Sequence, residues 1–138
     1  MTRKPFDLEL LILALKNSSE AVIEGRTKLQ KMVFLLKEMH GVNFSYNFTP
    51  YFYGPYSLDL QTDMDYLVSL GLVEETREST ASGIRYNYEL TEEGSRLADS
   101  LKSKYGGKTK FAKAANELSR FPTGFLIVLA KTLASTIT

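Results

Sequence analysis

The stretch "LVSLGLVEETRESTASGIRYNYELTEEGSRLADSL", residues 67–101, carries the local pattern on which the fold turns. Leu60, Met64, Leu67 and Val68 form an apolar stripe at helical spacing that runs out at Gly71. Two strands follow, over 72–78 and 84–90. In the second, Ile84, Tyr86, Tyr88 and Leu90 alternate with Arg85, Asn87 and Glu89, which predicts one buried face. "STASG" (79–83) is small and flexible and reads as the tip between them. Thr91 then caps a helix over 92–105. Glu92 and Glu93 stand in its first turn, where the helix dipole favours carboxylates.

Upstream, Ser57 caps a helix over 58–70, which presents Asp59, Thr62, Tyr66 and Ser69 away from its apolar stripe. Residues 6–17 and 27–40 read as two earlier helices. Thr27 and Gln30 have capping-box spacing at the start of the second, and Gly41 stops it. Between them and Ser57, Phe44, Tyr46 and Phe48 alternate with polar residues as a strand does, and Pro50, Gly54 and Pro55 punctuate a turn. Downstream, "GGK" (106–108) breaks the chain before helices over 109–120 and 123–136, which Pro122 separates. The order predicts an α+β fold, mostly α: a winged helix-turn-helix with an inserted aromatic strand and a C-terminal helical tail. The domain would span 1–105 and the tail 106–138.

The composition narrows the function classes. Of 138 residues, 43% are hydrophobic and 24% charged, a globular balance. Cysteine is absent, which fits a reducing cytosol. Asp7 and Glu9 interrupt the apolar run at the start, so no signal peptide is expected, and "GFLIVLA" (124–130) is too short to span a bilayer. A cytoplasmic protein off the membrane is expected. One histidine, His40, sits at a helix end. Asp59 and Asp63 share a face while Asp65 points away, so they read as a solvated polar face, with no metal-ligand spacing. No phosphate loop or nucleotide fingerprint is present. Neither an enzyme, nor a cofactor, nor a metal is expected.

"GRTKLQKMVFLL" (25–36), "YFYGPYSLDLQTDMDYLVSLGLV" (51–73) and "YELTEEG" (88–94) together resemble a family of small winged-helix proteins of bacteria and archaea. The Lys-Leu-Gln-Lys segment and the Tyr-Gly-Pro-Tyr turn resemble Panacea-type antitoxin domains, and the hairpin is similar to that of MarR and PadR regulators. The resemblance spans roughly residues 6–105. It implies transcriptional regulation or antitoxin-like protein binding and no enzymatic activity.

Charge complicates the DNA reading. Net charge is only +1, so a nucleic-acid site needs a local basic face. Helix 57–70 carries three Asp and no Lys or Arg, and the hairpin 72–90 sets Arg77 and Arg85 against four Glu. Tyr56, Ser57, Gln61 and Thr62 at the helix start, Arg77 and Arg85 beside the tip, and Lys28 and Lys31 on helix 27–40 are the candidate DNA contacts. "KSKYGGKTKFAK" (102–113) reads as a solvated junction or as a phosphate-gripping segment. Seven aromatics fall in 44–56. They either cover the core, or present a face to a protein partner, or line a ligand pocket. "FLIVLAKTLASTI" (125–137) is apolar nearly all round. That predicts a homodimer through Phe125, Val128, Leu129 and Leu133, the alternative being packing on the first helix of the same chain. The reading is a homodimeric winged-helix DNA-binding transcription regulator. The rival is a protein-binding adaptor or antitoxin-like module using helix 57–70 and the aromatics of 44–56.

Overall fold

The computed structural model describes residues 3–105 and 109–137. The elements are α1 (Pro5–Asn17), a short 3-10 turn (Ser19–Ala21), β1 (Val22–Glu24), α2 (Arg26–His40), α3 (Leu58–Ser69), β2 (Val73–Thr80), β3 (Gly83–Leu90), α4 (Glu92–Lys104), α5 (Thr109–Arg120) and α6 (Thr123–Ile137). The fold is mixed α+β and mostly helical. Its sheet is antiparallel with strand order β1-β3-β2.

The expected hairpin forms, with Val73 opposite Leu90 and Thr80 opposite Gly83. Its strands run closer to the tip than expected, leaving only 81–82 between them. The predicted buried face holds only at its base. Tyr88 is buried, Tyr86 and Leu90 are half-buried, and Ile84 near the tip is exposed. The outer half of the hairpin extends beyond the core, so alternation there has nothing to pack on. β1 is an element that periodicity does not reveal. Three residues are too few to set a pattern, and the strand exists because Ile23 sits opposite Tyr88 in the sheet.

Both predicted helix caps downstream form: Leu60 N–H donates to Ser57 Oγ (3.2 Å) and Gly94 N–H to Thr91 Oγ1 (3.1 Å). The capping box on α2 does not. The helix begins one residue earlier, with Gly25 at its N-cap and no side-chain cap. Thr27 lies inside the helix, and Gln30 turns into the core. The strand expected over 44–48 is also absent. No strand forms over that segment, and the nearest pairing is a single bridge just beyond it, Thr49 with Tyr56.

α1 and α2 form the centre of the core, with Leu11, Leu15, Leu29, Val33 and Leu36 fully buried. α5 packs on both, and α6 packs on α2. Phe111, Ala115, Leu118, Leu126 and Ala130 of these last two helices share one hydrophobic core with α1 and α2. The "GGK" break lies outside the described residues.

Candidate partner-binding face

Two side chains of α2, Gln30 and Lys31, fix the loop between α2 and α3. Gln30 and Ser57 exchange two hydrogen bonds: Gln30 Nε2 donates to Ser57 O, and Ser57 N–H donates to Gln30 Oε1, each at 2.8 Å. An amide side chain here takes the place of a neighbouring strand. At the next residue, Lys31 Nζ donates to Pro55 O at 2.9 Å. Lys31 is 1% exposed. Burial and the nearby Lys131 charge pull its ammonium down to about 8. The Lys-Leu-Gln-Lys segment and the Gly-Pro turn are therefore one structural unit, α2 holding the turn by its backbone.

This clamp divides the seven aromatics of 44–56. Phe44 and Tyr46 are buried, and Phe48 meets Phe34 edge-on with centroids 5.2 Å apart. Tyr56 is half-buried and stacks at 4.9 Å on Tyr51. Tyr51, Phe52 and Tyr53 stand out of the fold at 62%, 79% and 54% exposure, and Leu58, next along the chain on α3, is exposed too. The core-covering reading holds for Phe44, Tyr46 and Phe48, while Tyr51, Phe52 and Tyr53 are left in solvent.

α3 is less acidic toward solvent than its sequence suggests. Asp63 is buried, where it accepts from Tyr46 Oη (2.7 Å) and from Arg3 Nε (3.0 Å). Burial and that carboxylate together push the Tyr46 hydroxyl well above the ordinary phenol range. The expected solvated face is thus corrected to Asp59, half-buried, and Asp65, exposed. Arg3 also lies 3.8 Å over the Tyr66 ring. A cleft of about 380 Å³ opens here, lined by Arg3, Asp7, Tyr46, Asp59, Thr62 and Asp63 among others. Asp7 accepts from both the N–H and the hydroxyl of Ser45. Among the described residues no cluster of His, Cys, Asp or Glu could hold a metal ion.

The candidate DNA contacts do not converge on one surface. Ser57, Gln61 and Lys31 are buried. Ser57 is held by Gln30, Gln61 Nε2 donates to Asp65 and to the Tyr88 hydroxyl, and Lys31 is committed to Pro55. None of the three offers a donor to solvent, because each satisfies a backbone or side-chain group inside the fold. Lys28 is half-buried and donates to Ser119 O at 2.6 Å. Arg85 is flanked by Glu78 and Glu24 in two ion pairs. Tyr56 faces Tyr51. Thr62 and Arg77 remain exposed. Arg26 donates to Tyr88 Oη, pairs with Glu75 and covers the Tyr86 ring at 3.9 Å. The signal for these ion pairs lies in the acids opposite: Glu24, Glu75 and Glu78 of the sheet stand beside Arg26 of α2 and Arg85 of β3.

The four residues assigned to a dimer seam also split. Leu129 and Leu133 pack against the chain's own core, whereas Phe125 and Val128 are 48% and 63% exposed. The Phe121 ring lies tilted against Phe125 with ring centroids 4.8 Å apart, extending the exposed side. No described helix is long and apolar enough to cross a membrane.

The chain is similar to the uncharacterised protein YwgA of Bacillus subtilis (strain 168), with 39% identity over 82 residues, 59% of this chain and 49% of YwgA. The match therefore spans about half the length of that relative. No family model matches the chain.

Proposed function

We propose that this chain is a protein-recognition module of winged-helix type, related in role to antitoxins and adaptors, whose partner meets the exposed aromatic loop 51–53 and the first turn of α3. The observation that carries this reading is the division of labour among side chains. Lys28 and Lys31 are engaged inside the fold and Arg85 is held at the surface by Glu78 and Glu24, while Tyr51, Phe52, Tyr53 and Leu58 stand in solvent. Exposed aromatics on a turn that the core holds rigid are what interface centres are made of. Asp59 and Asp65 nearby suit a partner with a basic rim. The rival reading, a DNA-binding regulator in the cytoplasm, is favoured by the helix–hairpin order and by exposed Thr62 and Arg77.

One titration separates the two. The purified protein, added to a labelled generic duplex at low salt, should bind no more tightly than about 100 µM, beyond the ordinary non-specific range. Micromolar binding that weakens steeply with salt and is reduced in Arg77→Ala would overturn the protein-recognition reading. In cells, the partner cross-linked to the wild type should be lost with Phe52→Asp and kept with Arg77→Ala.

We assign the exposed side of α6, with Phe121, Phe125 and Val128, to a second copy of the chain. Light scattering should find a dimer, and Val128→Asp should yield monomers of unchanged helicity. A monomeric wild type removes this assignment.

A further inference from the structure

Between the C-terminal half of α6 and the loop 48–55, over α2, lies a groove of about 320 Å³. Phe34, Phe48, Pro50, Tyr51, Ala134 and Ile137 give it apolar walls, and Lys131 lines it as well. Its volume falls at the lower end of the range of small-ligand sites.

The charge around it is one-sided. Among the described residues Lys131 makes no ion pair, and Lys31 meets no carboxylate. Gly54 lies between the two lysines: a Cβ built on it would stand 3.2 Å from Lys31 Cε and 3.4 Å from Lys131 Cγ. Two ammonium side chains thus flank one glycine at the edge of an apolar groove. Placing like charges together beside apolar walls is unfavourable unless something negative joins them. An apolar body needs the walls, and one anionic head needs the lysines.

We propose that this groove binds a small organic monocarboxylate, its hydrocarbon or ring body against Phe34, Phe48 and Ala134 and its carboxylate toward Lys131 and Gly54. The depressed ammonium of Lys31 agrees with a site lacking its counter-ion, since a bound carboxylate would offset both the burial and the Lys131 repulsion. The proposal stands apart from the function above and holds whether the macromolecular partner is protein or DNA.

Octanoate and 1-octanol share a hydrocarbon body and differ in charge, so the pair isolates the head. Calorimetric titration of the full chain at pH 7 should give one site for octanoate. Binding of 1-octanol should be weaker by about tenfold, the factor that corresponds to about 1.4 kcal/mol. Lys131→Gln, an exposed position whose loss threatens no packing, should weaken octanoate about five- to tenfold and leave 1-octanol unchanged. Ala134→Phe, which fills the groove, should abolish both. Lys113→Gln, which removes an exposed charge on α5 away from the groove, should bind as the wild type does. Absence of octanoate binding up to millimolar concentration, equal affinity for the alcohol, or full binding by folded Ala134→Phe would each overturn the proposal. Equal loss of both ligands in Lys131→Gln would overturn the carboxylate's role.

Discussion

Gly94→Ala is expected to cost about 3–5 kcal/mol and to lower the thermal midpoint by roughly 10–20 °C. The reason lies in how α4 starts. Thr91 N–H donates to Leu72 O at 3.1 Å and Thr91 Oγ1 to Gly71 O at 2.7 Å. These two bonds draw the first turn of α4 onto the chain leaving α3, just where β2 begins. A Cβ on Gly94 would then sit 2.0 Å from the Leu72 carbonyl oxygen and 3.2 Å from Leu90 Cδ2. The nearer atom is backbone, so no side-chain rotation relieves the overlap. Either α4 moves away and surrenders both bonds, or the hairpin shifts on α3. Gly124→Ala is the matched control: it lies in α6, where an added Cβ meets nothing within 4 Å. There alanine should be neutral or stabilising by up to about 1 kcal/mol. Denaturant melts of the two variants compare directly, and a Gly94→Ala protein as stable as the wild type would contradict the close packing of Leu72 on α4.

That glycine also marks what could be read from the chain alone. Helix caps at Ser57 and Thr91, the β2–β3 hairpin and the stop at Gly71 are set by residues within a few positions of one another, so local chemistry declares them. Gln30 misleads for the same reason. Its spacing from Thr27 fits a capping box, but its partners lie twenty-seven residues on, at Ser57, and spacing carries no trace of them. Asp63 and Lys31 mislead in a related way. A lone charge on a helix is ordinarily solvated, and only the folded chain brings Tyr46 and Arg3 to one and Pro55 to the other. The nearly all-round apolarity of α6 was a true signal of burial, half discharged by α2. The candidate face was visible as a density of aromatics, but which of them point outward depends on the clamp that holds 54–57.

Stability should rise, not fall, as pH is raised from about 8 toward 10, and Lys31 should be the main cause. Its folded ammonium titrates near 8, whereas in the unfolded chain it returns to the ordinary lysine value of 10.5. Between those two values the unfolded state binds more protons than the folded one, so the free energy of unfolding increases with pH. Below about 8 the folded protein carries the whole cost of a buried, repelled ammonium; toward 10.5 that cost is relieved. The gain is about 2–3 kcal/mol. Burial also draws Lys28 down, which adds a smaller rise of the same sign. Tyrosines then close the window. Tyr88 and Tyr105 are pushed up to about 12, chiefly by burial, and Tyr46 higher still. A raised folded value holds the proton that the unfolded phenol gives up near 10, so their contribution is lost as pH climbs past 10. Urea melts across the range should therefore peak close to pH 10. Lys31→Met keeps the length of the side chain and removes both its charge and its bond to Pro55. The variant should match or slightly exceed the wild type at pH 7, where relief of the buried charge offsets the lost hydrogen bond. At pH 10 it should be the weaker protein by about 1–2 kcal/mol, since only the bond is then missing. The two curves should cross, and Lys28→Met should keep most of the rise. Parallel curves for wild type and Lys31→Met would mean that the ammonium of Lys31 is solvated, and that the turn at Gly54 and Pro55 opens to water.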